Sequence, residues 1–322
     1  MRRPFLIGLA LLLLPGSAAA QQAAETIGSR ALGMGGAFVG VANDASATYW
    51  NPAGLATGGP MGFTVDWSHL STGDPNAAPA SGLSHRESKF TSFSTLPVGI
   101  SVLQTTETYI VSSVGGDLRT DSLRTGQFNL TLIQTVVDGL VVATTLKYIR
   151  GSVTSAPVIG NTTGAVFDNA DNLERHATRA FDMDIAAMVD FHYVRVGVNV
   201  KNVTEPTFSN EDGIVMSVPR NARVGVAVLP TSGLTLAVDL DLDTVDLRDG
   251  PRRMLAIGGE QRLGQKLVAR GGARWNQAGS GGPASAVGGS FLMSKHMWLD
   301  AYYITGGPLA DHGWGIATRA GF

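Results

Sequence analysis

The sequence predicts an all-β fold, a 14-stranded antiparallel transmembrane β-barrel with an N-terminal plug segment. Three observations lead to it: apolar and polar residues alternate in fourteen segments, long and short connections alternate between those segments, and the last segment ends in an aromatic residue. The predicted organisation is a signal peptide at 1–20, a plug segment at 21–59 and the barrel at 60–322.

Alternation is clearest in GLTLAVDLDLD at residues 233–243. Leu236, Val238 and Leu240 share one face of this segment, and aspartates occupy the other face. A period of two residues is that of a strand, because a helix with its period of 3.6 would mix the two classes. YVRVGVNVKN at 193–202 has the same pattern. Both segments are therefore predicted to be strands with one apolar face.

The predicted strands are long for a soluble sheet. Most have ten to thirteen residues, whereas strands of soluble sheets usually have about five or six and a tilted transmembrane strand needs about nine to eleven. The first three are the least regular. The fourteen segments are 60–70, 88–96, 98–110, 125–137, 139–150, 178–191, 193–202, 220–230, 233–243, 252–262, 266–276, 283–293, 296–306 and 311–322.

Long and short connections follow one another along the chain. The tight ones lie around Pro97, Asp138-Gly139, His192, Thr231-Ser232, Gly264-Gln265 and Ser294-Lys295. The others are 71–87, 111–124, 151–177 and 203–219, then the shorter 244–251, 277–282 and 307–310. Short periplasmic turns and long outer loops are typical of an up-and-down transmembrane barrel. An even strand count puts both chain ends on the turn side.

A soluble β-sandwich is the alternative fold, because it too buries one apolar face. It seldom keeps strands of this length through fourteen repeats. The final segment, HGWGIATRAGF, places Trp314, Ile316 and Phe322 on one face. This ending resembles the assembly signal of bacterial outer-membrane barrels. Phe322 is therefore the predicted barrel-assembly signal, the predicted location is the bacterial outer membrane, and outer-membrane lipid and the barrel assembly machinery are predicted partners.

The two faces of the strands have different predicted environments. In hydrocarbon every backbone donor and acceptor must be bonded within the protein, which a closed sheet achieves. The apolar faces are then expected to contact lipid, while the charged residues of both signs face the lumen and pair with one another. The predicted lumen-lining residues are Lys147, Asp182, Asp184, Arg195, Lys201, Arg223, Asp239, Asp241, Glu260, Arg270, Arg274, Asp300 and Arg319.

The first residues have the three parts of a signal peptide. Arg2 and Arg3 precede an apolar run from Phe5 to Leu14, and Ala18-Ala19-Ala20 provides a cleavage site. The apolar run has about half of the roughly 20 residues that a spanning helix needs. The mature chain is therefore predicted to be exported and to begin at Gln21.

Composition excludes several functions. The net charge of −2 and the lack of a basic run give no reason to expect a nucleic-acid partner. With no cysteine, six scattered histidines and no G-x-S-x-G elbow, neither a metal nor a cofactor is expected, and the protein is predicted not to be an enzyme. A dinucleotide fingerprint in GMGGAFVG would need glycine where Phe38 stands. A hydrolase at the rim, using His85, His176 and Asp171 of the outer loops, stays open.

Residues 21–59 precede the first strand and must lie at the periplasmic end or inside the barrel. Fourteen strands enclose a lumen wider than the eight-stranded type that side chains can fill. Gly33, Gly35 and Gly36 would let this segment pass close to the wall. Asn51-Pro52 predicts an N-cap followed by proline at the first helical position. The segment is therefore predicted to plug the lumen.

SRALGMGGAFVGVANDASATYWNPAGLA at 29–56 is similar to the N-terminal segment of the FadL superfamily of outer-membrane barrels. That superfamily includes FadL/TodX-type transporters of hydrophobic compounds and PorV/PorQ-like and TraF-like relatives. The matching elements are Gly-Met-Gly-Gly at 33–36, Asn-Asp-Ala-Ser at 43–46 and Trp-Asn-Pro-Ala-Gly-Leu at 50–55. The resemblance implies fourteen strands and an N-terminal plug, with plug or gating residues at Gly33, Gly35, Gly36, Asn43, Asp44, Asn51, Pro52 and Gly54.

The resemblance leaves the function open between classes. A passive channel for small hydrophobic molecules is the first interpretation. FadL-type transporters are generally longer, with larger outer loops, so this compact chain looks closer to the PorV-like branch. An accessory barrel that binds a partner in protein secretion or cell-surface attachment is therefore the alternative, and a purely structural barrel is a third. The expected partner is a hydrophobic small molecule or a secreted protein.

The stretch 153–179, which covers the longest predicted outer loop, carries Val158, Ile159, Val166, Phe167 and Leu173. Loops longer than about a dozen residues are often functional. This one is expected to form an apolar entry site or a partner surface, or else to fold over the barrel mouth. A transporter should have an apolar path past the plug, whereas a partner-binding barrel should have a sealed lumen.

Overall fold

A computed structural model of the protein describes residues 20–21, 26–113, 115–173, 175–279, 282–307 and 309–322. Except for Ala20, the predicted signal peptide lies outside these residues. No helix within the described ranges is long and apolar enough to span a membrane.

The described residues contain nineteen strands and four short helices. The helices are α1 (Ser29–Gly33), α2 (Ala47–Trp50), a 3₁₀ helix (Pro52–Thr57) and α3 (Thr163–Asp171). The strands are β1 (Ala20–Gln21), β2 (Met61–Ser71), β3 (Leu83–Thr95), β4 (Val98–Ser112), β5 (Leu118–Val137), β6 (Leu140–Pro157), β7 (Thr178–Asp190), β8 (Val194–Lys201), β9 (Thr207–Ser209), β10 (Val215–Ser217), β11 (Asn221–Thr231), β12 (Leu234–Asp241), β13 (Val245–Leu247), β14 (Gly250–Arg252), β15 (Met254–Leu263), β16 (Leu267–Asn276), β17 (Ala284–Ser294), β18 (Met297–Gly306) and β19 (His312–Gly321).

Fourteen of these strands form one closed antiparallel barrel, in the order β2 to β8, β11, β12 and β15 to β19. Closure occurs where β19 pairs with β2, with Ile316 opposite Trp67. The chain turns tightly at residues 96–97 and 138–139, as the sequence predicts. The predicted 14-stranded antiparallel barrel is confirmed.

The outer ends of the strands differ from the predicted elements. β5 begins at Leu118 and β6 continues to Pro157, whereas loops were predicted at 111–124 and from residue 151. Residues 118–125 are mostly polar on both faces, so the alternation that identifies strands in the apolar band is lost there. Two further predicted loops, 203–219 and 244–251, contain the hairpins β9–β10 and β13–β14.

The barrel exterior is apolar through its middle. On β12, Leu236 is 47% exposed and Val238 is 44% exposed, whereas the intervening Ala237 and the adjacent Asp239 are buried. On β2 and β19, the rings of Trp67 and Trp314 pack edge to face at 5.1 Å. An apolar outer band around a polar interior is the arrangement of a transmembrane barrel.

The longest outer connection is shorter than predicted and contains α3. Val166 and Phe167 of this helix pack against Leu83 and Ile110, and the Phe167 ring stacks on His85 at 5.3 Å. These partners lie on the outward face of β3 and β4. The helix therefore covers the outer wall, so the loop neither folds over the mouth nor leaves Val166 and Phe167 open as an entry surface.

An arginine on the lipid-facing side of β12 should test the orientation of the strands. Val238→Arg is expected to destabilise the barrel folded in liposomes by about 2–4 kcal/mol, because a guanidinium charge near the midplane loses its hydration. Leu234→Arg, on the same face beside the turn, should cost about 0–1 kcal/mol. Denaturant titration of the refolded variants measures both, and equal losses would contradict the assigned lipid face.

Candidate functional site

The N-terminal segment lies inside the turn-side half of the barrel. Residues 26–42 form an unbroken buried run. α1 contacts β17 and β18, and the 3₁₀ helix contacts β6 and β7. Leu55 reaches Gly99, close to the turn at residues 96–97. The first candidate site is therefore the interface between this segment and the inner wall.

Two aspartates on the wall bind backbone N–H groups of the segment. Asp66 of β2 accepts hydrogen bonds from the N–H groups of Gly28 and Ser29 at 3.2 and 2.6 Å, and from the Ser29 hydroxyl at 2.6 Å. Asp239 of β12 accepts from the N–H groups of Phe38 and Val39, both at 2.8 Å. These carboxylates satisfy donors that no regular secondary structure pairs.

Glycines let the segment lie directly against the wall between those two anchors. Gly35 has φ of +70°, and a Cβ there would lie 2.7 Å from the N atom of Ala273. A Cβ on Gly258 or Gly272 of the wall would overlap the carbonyl oxygen of Met34. Backbone therefore packs on backbone here, which leaves no room for a side chain on either side.

An ion network links the segment to β15, β16 and β18. Arg30 pairs with Asp44 at 2.8 Å and with Glu260 of β15 at 2.7 Å. Glu260 also binds Arg270 at 2.6 Å, which reaches Asp300 at 3.2 Å. Burial alone would raise the pKa of Asp44, but the Arg30 charge outweighs it and keeps that pKa below its usual range.

Asn51 holds two parts of the segment together. Its amide donates to the carbonyl oxygen of Val39 at 3.0 Å, and its side-chain oxygen accepts from the N–H of Ala53 at 3.2 Å, capping the 3₁₀ helix that begins at Pro52. The neighbouring Trp50 indole donates to the carbonyl oxygen of Ile27 at 2.9 Å. This contact folds the segment back on itself.

The structure brings all the predicted plug residues into this one unit, in which Asn43 and Asp44 are half-buried and the others are buried. Asn43 accepts a hydrogen bond from Arg30 at 2.7 Å. A Cβ on Gly33 would lie 3.3 Å from the Cα of Gly288, and one on Gly54 would overlap the carbonyl oxygen of Ala42. Gly36 has φ of +89°.

The predicted lumen-lining residues all lie on inward faces, but they differ in their partners. Some pair with one another as expected, whereas Asp239 binds backbone and Lys201 lies 3.5 Å from the centroid of the Tyr49 ring. The ion pairs are Lys147–Asp184 (2.5 Å), Arg195–Asp190 (2.9 Å), Arg223–Asp241 (2.6 Å), Arg274–Asp311 (2.6 Å) and Arg319–Asp300 (2.7 Å), with Asp182 at 3.8 Å from Lys147.

A second segment enters the lumen from the outer end, and the sequence did not predict it. The inner hairpin, β9 and β10 with their connection, buries Phe208 and Met216 against inward residues of β4, β5 and β6. A Cβ on Gly151 would overlap the Phe208 ring. The base is tied by Asn202, whose N–H donates to Asp184 at 2.8 Å and whose amide donates to Pro219 at 2.7 Å.

Sequence reasoning missed Arg30 and Asp66 as well as the inner hairpin. A lone carboxylate on the polar face of the first strand was the available signal for Asp66. The three residues of the open hydrolase hypothesis have other partners: His85 stacks on Phe167, the His176 ring lies 4.0 Å from Glu211, and Asp171 lies 3.7 Å from Arg124.

Removing one wall carboxylate should release the part of the segment that it binds. In Asp239→Ala, amide exchange at Phe38 and Val39 should accelerate at least about tenfold, since a hydrogen bond to a charged group contributes about 1.5–3 kcal/mol. Exchange in the barrel strands should change little. Asp246→Ala, at an exposed position, is the control. Unchanged protection at Phe38 and Val39 would show that the carboxylate does not hold the segment.

Comparison with known proteins gives similarity in structure only. No family model matches the chain, and no curated protein matches its sequence. The CymD monoaromatic hydrocarbon channel is 13% identical, with a TM-score of 0.62 over 92% of this chain and 98% of that one. The Pseudomonas putida toluene transporter TodX is 11% identical, with a TM-score of 0.60 over 93% and 99%.

A Pseudomonas aeruginosa FadL homologue is also 11% identical, with a TM-score of 0.61 over 94% of this chain and 99% of that one. Identities this low establish the fold and nothing finer. The chain therefore has the fold of the FadL-type barrels, which is the fold that the resemblance at 29–56 implied.

Proposed function

We propose that the protein is a gated outer-membrane channel for small hydrophobic molecules. One observation carries the proposal, an apolar patch on the inner wall of the outer half of the barrel. The patch consists of Tyr109, Leu123, Ile149 and Val153, which are at most 3% exposed. Apolar residues elsewhere on the inner wall, such as Val141, Met188 and Ile304, belong to the cluster that includes the N-terminal segment.

The inner hairpin covers this patch with Phe208 and Met216. If the hairpin moved away, the patch would offer a hydrophobic molecule a contact surface worth about 25 cal/mol per Å² of apolar area removed from water. A lumen built only to conduct ions or water would gain nothing from such a surface. A hydrophobic cargo is therefore the class of molecule that fits it best.

Among the described residues, little space is left between the two segments inside the barrel. The cavity between the N-terminal segment and the hairpin, lined by Ile27, Tyr49 and Val218 among others, has a volume of about 30 Å³. A cavity that binds benzene has a volume of about 150 Å³. Passage of even a single-ring compound therefore requires the hairpin, the segment or both to move.

The fold similarity supports the same proposal. The similar structures include a toluene transporter and a monoaromatic hydrocarbon channel, and the segment at 29–56 resembles that of FadL-type transporters. The proposal includes a location in the outer membrane of a bacterium, with the tight turns on the periplasmic side, and the fold similarity supports the outer membrane. Small aromatic or aliphatic hydrocarbons are the proposed cargo.

The filled lumen favours a second candidate function, that of an accessory barrel which binds a protein partner and transports no molecule. Filling from both ends is what a sealed, PorV-like barrel would need. The two candidates differ in whether the hairpin moves. They are therefore separated by measuring flux through the protein rather than by its static shape.

Conductance in a planar bilayer tests whether the N-terminal segment and the hairpin are the two barriers. Wild-type protein should show little steady current. Deleting residues 24–56 should give brief openings, because the hairpin still fills the outer half. Deleting them and also replacing residues 204–217 with a short glycine-serine linker should give a steady pore. A double deletion that inserts normally yet conducts no more than wild type would contradict the proposed plug.

Uptake of toluene into proteoliposomes tests the role of the apolar patch. Ile149→Asn should lower the flux about tenfold, since losing roughly 1.4 kcal/mol of apolar contact has that effect on binding. Ile149→Leu keeps the patch apolar and is the matched control. Wild-type flux equal to that of protein-free vesicles would reject the channel and leave the accessory barrel.

A further inference from the structure

Two arginines lie directly opposite each other on the outer wall of the barrel. Arg150 of β6 pairs in register with Arg179 of β7, and both side chains are exposed on the outward face. Within the described part of the chain, neither has a carboxylate within ion-pair distance. Like charges directly opposite on one sheet face destabilise the pairing. A bound anion that is not part of the protein would therefore offset the repulsion between the two arginines.

These arginines end a row that runs across five neighbouring strands. The row reads Lys89, Gln104, Gly126, Arg150 and Arg179, each opposite the next in register. The neighbouring row of lipid-facing residues lies two positions nearer the tight turns. It consists of Thr91, Val102, Phe128, Tyr148 and Phe181.

The two rows mark the upper limit of the apolar band. They are two residues apart along the strands, which is about 6.6–6.8 Å. The Tyr148 and Phe181 rings in the lower row lie 5.4 Å apart. Aromatic side chains mark the interface level of transmembrane barrels. The cations therefore lie at the height where lipid headgroups meet the barrel.

The wall is hollowed in the middle of the upper row. A Cβ on Gly126 would meet nothing within 4 Å. Lys89, Arg124 and Arg150 surround this depression of about 440 Å³, together with Gln104, Thr106 and Ser152. The carboxylates beside it are already paired, Glu87 with Lys89 at 3.2 Å and Asp171 with Arg124 at 3.7 Å. Arg150, which lines the depression, and Arg179, which lies opposite Arg150 on the next strand, remain for a ligand.

We propose that the outer cradle, which consists of the depression at Gly126 together with Arg150 and Arg179, binds the phosphate-bearing headgroup of a glycolipid in the outer leaflet. Guanidinium groups match phosphate oxygens with paired hydrogen bonds, and a bridging phosphate would relieve the repulsion between Arg150 and Arg179. A lipid fits better than a free anion because Phe128, Tyr148 and Phe181 lie directly beneath to contact its acyl chains. The inference rests on the membrane placement in the proposed function and is independent of what the lumen carries.

Native mass spectrometry of the intact barrel in detergent tests the cradle. The probes are a diphosphorylated glycolipid of the lipid A type, its fully dephosphorylated form and inorganic phosphate. Wild type should retain the diphosphorylated form at least about tenfold more strongly than the dephosphorylated one. The double variant Arg150→Gln/Arg179→Gln should lose this preference. Lys266→Gln/Lys295→Gln, which removes two exposed cations at the turn end, should keep it.

A second variant removes no cation. Gly126→Glu would place a carboxylate in the depression beside Arg150, so it should abolish lipid retention while leaving the barrel folded. In lipid-free detergent at low salt, Arg150→Gln/Arg179→Gln should melt higher than wild type because the repulsion is gone. Adding the diphosphorylated glycolipid should reverse that order.

Three results would overturn the proposal: equal retention of both glycolipids, retention unaffected in both variants, or inorganic phosphate binding as tightly as the lipid. The last would indicate a free-anion site. Failure of toluene flux in vesicles, with lipid retention intact, would count against the proposed channel and leave the cradle standing. Failure of the barrel to insert into bilayers would instead remove the basis of both.

Discussion

Hydrogen bonds from backbone N–H groups to wall aspartates are the interaction on which the filled lumen depends. Asp66 and Asp239 bind the N-terminal segment, while Asp184 and Asp182 bind the base of the inner hairpin through the N–H groups of Asn202 and Thr204. Irregular backbone at membrane depth is tolerated only where the protein satisfies it. Without these carboxylates, each buried donor would carry a desolvation cost of about 1–3 kcal/mol.

The same carboxylates determine where the cations go. A buried carboxylate needs compensating partners, and backbone donors supply part of them at Asp239 and Asp66. Arginines bind carboxylates that no backbone donor satisfies, as in the series of ion pairs from Asp44 through Arg30 and Glu260 to Arg270. Glycines such as Gly258 and Gly272 let the segment come close enough for these short bonds. Charge, hydrogen bonding and close packing therefore act together along the segment.

Lipid explains which features the sequence could predict. Because hydrocarbon contacts one face of every strand, Leu236 and Val238 must alternate with inward residues, and the strand count follows from that pattern. Beyond the hydrocarbon both faces of β5 are polar, so nothing in the sequence marked Leu118 as its beginning. The alternation of apolar and polar residues also predicts which face of a strand points inward, but it does not predict which residues that face contacts. Phe208 lies more than fifty residues from Ile149 along the chain, and no local pattern joins them.

The N-terminal segment and the inner hairpin differ in what could displace them from the lumen. This difference predicts which of the two opens first in the proposed channel. Charged pairs, hydrogen bonds to wall aspartates and backbone packing on glycine hold the N-terminal segment in addition to its apolar contacts with the wall. A hydrocarbon offers no substitute for the first three. The hairpin is held at its base by Asp182 and Asp184 and through the pairing of β10 with β1. Its Phe208 and Met216 cover the apolar patch, the surface that a hydrocarbon would itself cover. A ligand shifts a conformational equilibrium only by its differential affinity for the two states. A hydrophobic molecule can therefore favour the open hairpin while leaving the segment in place, so opening begins at the outer end.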